Sequence, residues 1–165
     1  MLTLSIIVPT YNEEATIIPV LDRIAAHTLD GYSFEIIIVD DGSTDGTLGQ
    51  LSNRPDLYTK LINHSINSGK GKALRTGIKE ASGDFILFQD ADLEYHPADY
   101  PKLLKPMMES NADVVYGSRF RGGESVRILF FWHHVGNLFL TLLSNIFTNL
   151  NLTDMETCFK LFRRG

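Results

Sequence analysis

The stretch Asp84-Phe85-Ile86-Leu87-Phe88-Gln89-Asp90-Ala91-Asp92-Leu93-Glu94-Tyr95-His96-Pro97 decides how the chain is read. Residues 85–88 form a short apolar run behind a Gly-Asp turn, the pattern of a strand buried on both faces. Asp90, Asp92 and Glu94 follow at two-residue spacing, which in an extended chain sends their side chains to one side. Carboxylates gathered beyond a buried strand repel one another and lose hydration unless a cation neutralises them. A hard divalent ion with oxygen ligands is the usual partner. Such an ion can hold a diphosphate, and ligands of open α/β sheets sit at the carboxyl ends of the strands. The competing reading is a solvated acidic loop.

Working outward, residues 4–8 (Leu-Ser-Ile-Ile-Val) predict a first buried strand ended by Pro9. Asn12 is expected to cap a helix with Glu13 and Glu14 in its first turn, running to about residue 26. Ile17, Val20, Leu21 and Ile24 fall on one face of it. Residues 34–39 are a nearly pure β-branched strand, followed by the acidic loop Asp40-Asp41-Gly42-Ser43-Thr44-Asp45-Gly46-Thr47. A weaker strand at 58–62 precedes the turn Asn67-Ser68-Gly69-Lys70-Gly71-Lys72, which opens a helix to about residue 81. Residues 97–110 are expected to be helical, bent or divided at Pro106, and 114–116 to form a fifth strand. The alternation predicts an α/β fold, a mostly parallel sheet with helices on both faces.

At 165 residues and 44% hydrophobic, the chain is long enough for one domain with a substantial core. A formal net charge of −5 argues against wholesale binding of nucleic acid. Cys158 is the only cysteine, so no intramolecular disulfide forms, which fits a reducing compartment. The first residues lack a basic leader and read as a strand rather than a signal peptide, so a cytoplasmic location is expected. Residues 128–150 are the longest apolar region. His133, His134, Gly136, Asn137, Ser144 and Asn145 interrupt it, which makes it a poor transmembrane helix but leaves it able to lie on a membrane. A core helix is the alternative. The chain stops after a strand-like run at 158–162, and truncation at the C-terminus is expected.

Each remaining motif carries two readings. Asp40 and Asp41 follow a buried strand, where an acid meets a base or ribose in dinucleotide-binding folds, but the loop is also strong turn chemistry. Gly69-Lys70-Gly71-Lys72 places lysines at a helix N-terminus where phosphate is welcome, yet the P-loop spacing is absent and a capped turn explains it too. Arg119 and Arg121 after the fifth strand are able to clamp phosphate, or are ordinary surface arginines. His133 and His134, being adjacent, point apart and read as interfacial or core residues. Asp154 faces an acceptor or is a loop acid.

The set Val8-Pro9-Thr10-Tyr11-Asn12-Glu13, Val39-Asp40-Asp41-Gly42-Ser43-Thr44-Asp45, Gln89-Asp90-Ala91-Asp92-Leu93 and Tyr116-Gly117-Ser118-Arg119-Phe120 resembles the family 2 glycosyltransferases of GT-A fold. Within these it is most similar to dolichyl-phosphate mannosyltransferases and bacterial polyprenyl-phosphate glycosyltransferases, over residues 1–162. The resemblance implies a catalytic domain over residues 1–165, with a nucleotide-sugar and metal half at 1–120 and an acceptor- and membrane-facing half at 121–165. It implies that Pro9, Tyr11, Glu13, Val39, Asp41, Asp90, Ala91, Asp92 and Arg119 contact the nucleotide sugar. It further implies that Asp90, Asp92 and Glu94 hold Mg2+ or Mn2+, that Arg127 meets an acceptor phosphate, and that Asp92, Arg119 and Asp154 serve catalysis. The family often has glutamine two residues after the Asp-x-Asp, and here Glu94 adds a charge.

The activity so implied is inverting transfer of a hexose from a nucleoside-diphosphate sugar, of the GDP-mannose or UDP-glucose type, to a polyprenyl phosphate at the cytoplasmic face of a membrane. If the acceptor is a glycan or another hydroxyl instead, Asp154 becomes the general-base candidate. A sugar-phosphate nucleotidyltransferase is disfavoured because the first strand leads into Pro-Thr-Tyr-Asn-Glu-Glu rather than a glycine-rich loop. A binding module without turnover is the non-enzymatic alternative.

Overall fold

The computed structural model describes residues 1–118 and 131–165. Strands β1 (Leu2–Thr10), β2 (Tyr32–Asp40), β3 (Lys60–Asn63), β4 (Phe85–Phe88), β5 (Val114–Tyr116) and β6 (Lys160–Arg163) form one sheet in the order β3-β2-β1-β4-β6-β5. The pairs β1–β2, β1–β4 and β2–β3 are parallel. β6 is antiparallel to both β4 and β5. The largely parallel sheet is therefore as expected, but β5 does not lie beside β4, because the strand-like run near the C-terminus inserts between them.

Helices α1 (Ile17–Ala25), α2 (Thr47–Asn53) and α4 (Tyr100–Glu109) supply the core on one face of the sheet. There Ile17, Val20, Leu21, Ile24, Tyr100, Leu103, Leu104 and Met107 meet Leu4, Ile6, Val8, Ile36 and Ile38. α3 (Lys70–Glu80) lies over the other face, where Ala73 joins Ile7, Ile37, Val39 and Ile86. Neighbouring residues of β1 thus enter different cores, as the strand period requires. Each large aliphatic side chain buried here contributes about 1.5–3 kcal/mol. Gly77 lets α3 approach closely: a Cβ there would stand 2.4 Å from Cγ2 of Ile7.

Three local expectations are corrected. Asn12 caps no helix, since it takes a left-handed φ of 55° and α1 starts only at Ile17. Its backbone N–H instead donates to Ser43 Oγ (2.9 Å) and its Oδ1 accepts from Thr44 N (2.8 Å), tying the loops after β1 and β2 together. Glu14 does the same, accepting from Gly46 N at 2.7 Å. The segment at 97–110 is a short 3-10 turn (Pro97–Asp99) followed by α4, which runs undivided through Pro106. Of the two readings of His133 and His134, the core one is excluded, since both are exposed.

α5 (Phe131–Thr148) is organised inside out. Only Asn137 and Thr141 are buried, whereas Leu138, Phe139, Leu142, Ile146 and Phe147 are all more than half exposed. Its polar residues dock it: Asn145 exchanges hydrogen bonds with the Leu152 backbone at 2.9 Å each, and Thr141 Oγ1 accepts from Met155 N at 3.1 Å. Among the described residues no side chain of α5 joins either core cluster of the sheet. Among the described residues no helix is long and apolar enough to cross a membrane.

Candidate active site

The sheet order reverses at β1: the chain runs outward to β2 and β3, then returns to β4 on the other side. Such a switch point leaves a crevice at the strands' carboxyl ends. A cleft of about 300 Å³ opens there. It is lined by Pro9, Thr10, Tyr11 and Glu13 after β1, Asp41 after β2, Asn67, Gly69, Lys70 and Ala73 at the start of α3, and Asp90, Ala91 and Asp92 after β4. Seven of the nucleotide-contacting residues expected from the sequence are thus brought together: Pro9, Tyr11, Glu13, Asp41, Asp90, Ala91 and Asp92. Val39 is fully buried in the core beneath α3 and does not line the cleft. Arg119, Arg121 and Arg127 lie outside the described residues.

Asp41 is almost wholly buried, and its oxygens are engaged within the chain. Oδ1 lies 2.6 Å from His64 Nδ1, while Oδ2 accepts from Ser68 N (3.0 Å) and Gly69 N (2.6 Å). Burial alone would raise this carboxyl, but the His64 ring and the two amides outweigh it and hold it below the usual carboxylate range. Asp41 thereby fixes the turn that starts α3. The turn is seated further by Gly42, at a φ of 77°, where a Cβ would meet Asn67 N and Ile66 C at 2.9 Å. His64 also bonds Thr76 Oγ1 at 3.0 Å, so it bridges the loop after β2 to α3.

The carboxylates after β4 are arranged differently from an extended run. Leu93 takes a φ of 65°, and Glu94 N donates to Asp92 Oδ1 at 3.0 Å, folding 92–94 into a turn. The expected convergence of Asp90, Asp92 and Glu94 is corrected accordingly: Glu94 is exposed and lines no part of the cleft. Among the described residues no group of three acidic, histidine or cysteine side chains gathers to hold a metal. Asp90 and Asp92 do face one cleft. Partial loss of hydration, with the charges of Glu94 and Asp90, pushes the Asp92 carboxyl above its ordinary value even though Asp92 sits at the rim. Two carboxylates facing one cleft suit a hard cation that completes its shell with phosphate oxygens and water. The residues present fit Mg2+ or Mn2+ in that two-carboxylate form.

Lys70 lines the cleft at the helix N-terminus where the sequence offered a phosphate-binding lysine, whereas the sequence did not single out Cys158 and His64, which contact residues of the cleft. Lys70 Nζ pairs with Asp90 at 2.6 Å and reaches Cys158 Sγ at 2.6 Å. Burial opposes its charge, yet Asp90 and Cys158 together raise its pKa. Burial and Asp90 push the Cys158 thiol up, against the pull of Lys70. Asp154 does not line the cleft. It is buried, accepts from Asn137 Nδ2 at 2.7 Å, and anchors the segment that leads to Cys158. Cys158 N in turn donates to the Tyr95 hydroxyl at 3.2 Å, and Tyr95 stacks on Phe159.

The chain is 37% identical over 122 residues to the dolichol-phosphate mannosyltransferase of Pyrococcus furiosus, covering 73% of this chain and 34% of that protein. It is 34% identical over 122 residues to the dodecaprenyl-phosphate galacturonate synthase of Rhizobium johnstonii, covering 72% and 36%. The chain spans about a third of the length of these curated relatives. Among solved structures it resembles glucosyl-3-phosphoglycerate synthase of Mycobacterium tuberculosis, in complex with Mn2+, uridine diphosphate and phosphoglyceric acid. That likeness has a TM-score of 0.73 and 26% identity over 98% of this chain and 56% of that one. The fold is that of the GT-A glycosyltransferases. Residues 5–165 match the family model for glycosyl transferase family 2, and the chain belongs to that family.

Proposed function

We propose that the chain carries the catalytic domain of an inverting hexosyltransferase, with its donor half at residues 1–120 and its acceptor half at 121–165, moving a sugar from a nucleoside diphosphate to a polyprenyl phosphate at the cytoplasmic face of a membrane. The observation that carries this reading is the single cleft holding Tyr11, Glu13, Asp41, Asp90 and Asp92 at the switch point of the sheet. Tyr11, half exposed at the rim, offers a face for a base, and the turn fixed by Asp41 offers the start of α3 to phosphate. Asp90 and Asp92 hold the cation. When bound, a divalent ion supplies Lewis-acid stabilisation of the departing diphosphate. Arg119 adds positive charge on the leaving-group side and Arg127 serves the acceptor phosphate. A lipid phosphate is already ionised near neutral pH, so the acceptor needs placement more than deprotonation. Asp154, buried against Asn137, is a positioning residue for the segment between α5 and the cleft.

The exposed apolar face of α5 supports a lipid acceptor, since the segment that α5 anchors leads to Cys158 against Lys70. The names of the curated relatives, both of which include a polyprenyl phosphate, support the same class. Transfer of radiolabelled sugar in detergent by the whole protein tests it. Label in polyprenyl phosphate is expected. Label in a soluble glycan or protein hydroxyl, with the lipid unlabelled, would replace this reading with the hydroxyl one. Donor binding without turnover to any acceptor would mark a binding module.

A further inference from the structure

Lys70 stands where a cation belongs. It is the first residue of α3, and its Nζ lies 2.6 Å from Oδ1 and 2.9 Å from Oδ2 of Asp90, so one ammonium covers both oxygens of that carboxylate. A divalent ion that engages Asp90 must displace it. We propose that Lys70 is a built-in counter-ion of the carboxylate pair: it occupies Asp90 in the free protein and passes to the diphosphate when donor and cation arrive, so that the two bind as a unit. The inference rests on reading the cleft as a diphosphate site.

Three features make the exchange feasible. The Lys70 side chain is 48% exposed whereas Asp90 is 16% exposed, so the lysine swings through solvent while the aspartate stays put. Its four-carbon stem rotates freely and carries a point charge that suits phosphate in any orientation. Its second partner, Cys158 Sγ at 2.6 Å, is a weak acceptor that holds the ammonium without locking it. The destination is close, because Gly69 and Lys70 line the same cleft at the N-terminus of an eleven-residue helix, the end that favours anions. A cation alone meets an occupied carboxylate. A nucleoside diphosphate alone meets the charges of Asp90 and Asp92, with Lys70 still held on Asp90. Together they give the ammonium somewhere to go.

The test is Mn2+ binding followed by the paramagnetic resonance of the free ion, in wild type, Lys70→Met and Lys70→Arg, with and without GDP or UDP as probe. Lys70→Met is expected to bind Mn2+ alone roughly tenfold more tightly than wild type, and Lys70→Arg to stay near wild type. Addition of the nucleotide should tighten Mn2+ binding strongly in wild type and about tenfold less in Lys70→Met. Thermal melts establish that each variant is folded, and Lys70→Gln replaces Lys70→Met if it is not. Equal or weaker Mn2+ binding by the neutral variant, with nucleotide-dependent binding intact in wild type, overturns the role of the lysine alone. An undiminished nucleotide effect in the neutral variant overturns the transfer to diphosphate. No Mn2+ binding by any of the proteins, with or without nucleotide, removes the metal site and the proposal with it.

Discussion

Asn137 donates its side-chain amide to the Asp154 carboxylate at 2.7 Å, and each residue is only 1% exposed. A buried carboxylate that loses a donor loses part of what offsets its desolvation. Asn137→Ala should therefore cost about 1.5–3 kcal/mol in urea unfolding. Asn137→Asp should cost more, because it opposes two like charges. A change under about 0.5 kcal/mol in both would mean that the bond contributes nothing to holding α5.

The outer face of α5 should behave in the opposite way. Leu138 and Ile146 are 62% and 65% exposed, so Leu138→Gln with Ile146→Gln should change stability by less than about 1 kcal/mol. The same pair should reduce co-sedimentation with vesicles containing anionic lipid severalfold. A loss of about 2–5 kcal/mol, the scale of a core truncation, would place this face in an apolar core instead.

Glu35 gives a pH dependence whose sign is fixed. It is nearly buried, bonded by Ser5 Oγ and by Ser82 N (2.8 Å) and Oγ (2.7 Å). Burial raises its pKa, but Ser5, Ser82 and the Lys60 charge outweigh that and lower it. A depressed folded pKa contributes stability that is complete above the ordinary glutamate value of about 4.3 and is lost as pH falls toward the lower folded value. Denaturation midpoints measured downward from neutrality should fall in that acid window. Glu35→Gln should be less stable at pH 7 and flatten the decline, and an equally steep decline in the variant would assign it to other carboxylates.

Gly77→Ala should destabilise by about 1–3 kcal/mol, since its methyl would stand 2.4 Å from Cγ2 of Ile7. Ile7→Ala creates the room, so the double variant should lose less than the sum of the single changes. Simple additivity would mean that α3 shifts to relieve the contact.

Much of this was legible in the sequence where the signal is local. Strands β1, β2 and β4 are apolar runs too dense for anything but the centre of a sheet, and the face of α1 followed from Ile17, Val20, Leu21 and Ile24. What escaped depends on partners distant in the chain. Nothing near Cys158 says that β6 will enter between β4 and β5 in the reverse direction. Asn12 looks like a helix cap until Ser43 and Thr44 claim it from 31 and 32 residues away. Leu93 defeated the extended reading of the acids, because an apolar residue at positive φ has no sequence mark. The pairing of Asp41 with His64 and of Lys70 with Asp90 had none either. One signal was present and read differently: Asn137, Thr141 and Asn145 recur at helical spacing inside an apolar stretch. They are the face that docks the helix, and Asn137 and Asn145 are also among the residues that make the stretch a poor membrane span.

Calorimetric titration of GDP- and UDP-sugars in Mn2+ or Mg2+, repeated in excess chelator, tests the central claim that Asp90 and Asp92 bring a diphosphate into this cleft through a cation. The preferred donor should bind with the ion present and weaken about tenfold or more without it. Asp92→Asn should abolish that dependence while melting no lower than wild type in chelator, because burial and its acidic neighbours already disfavour the Asp92 charge. Equal donor affinity in chelator, or undiminished ion dependence in Asp92→Asn, would contradict the account.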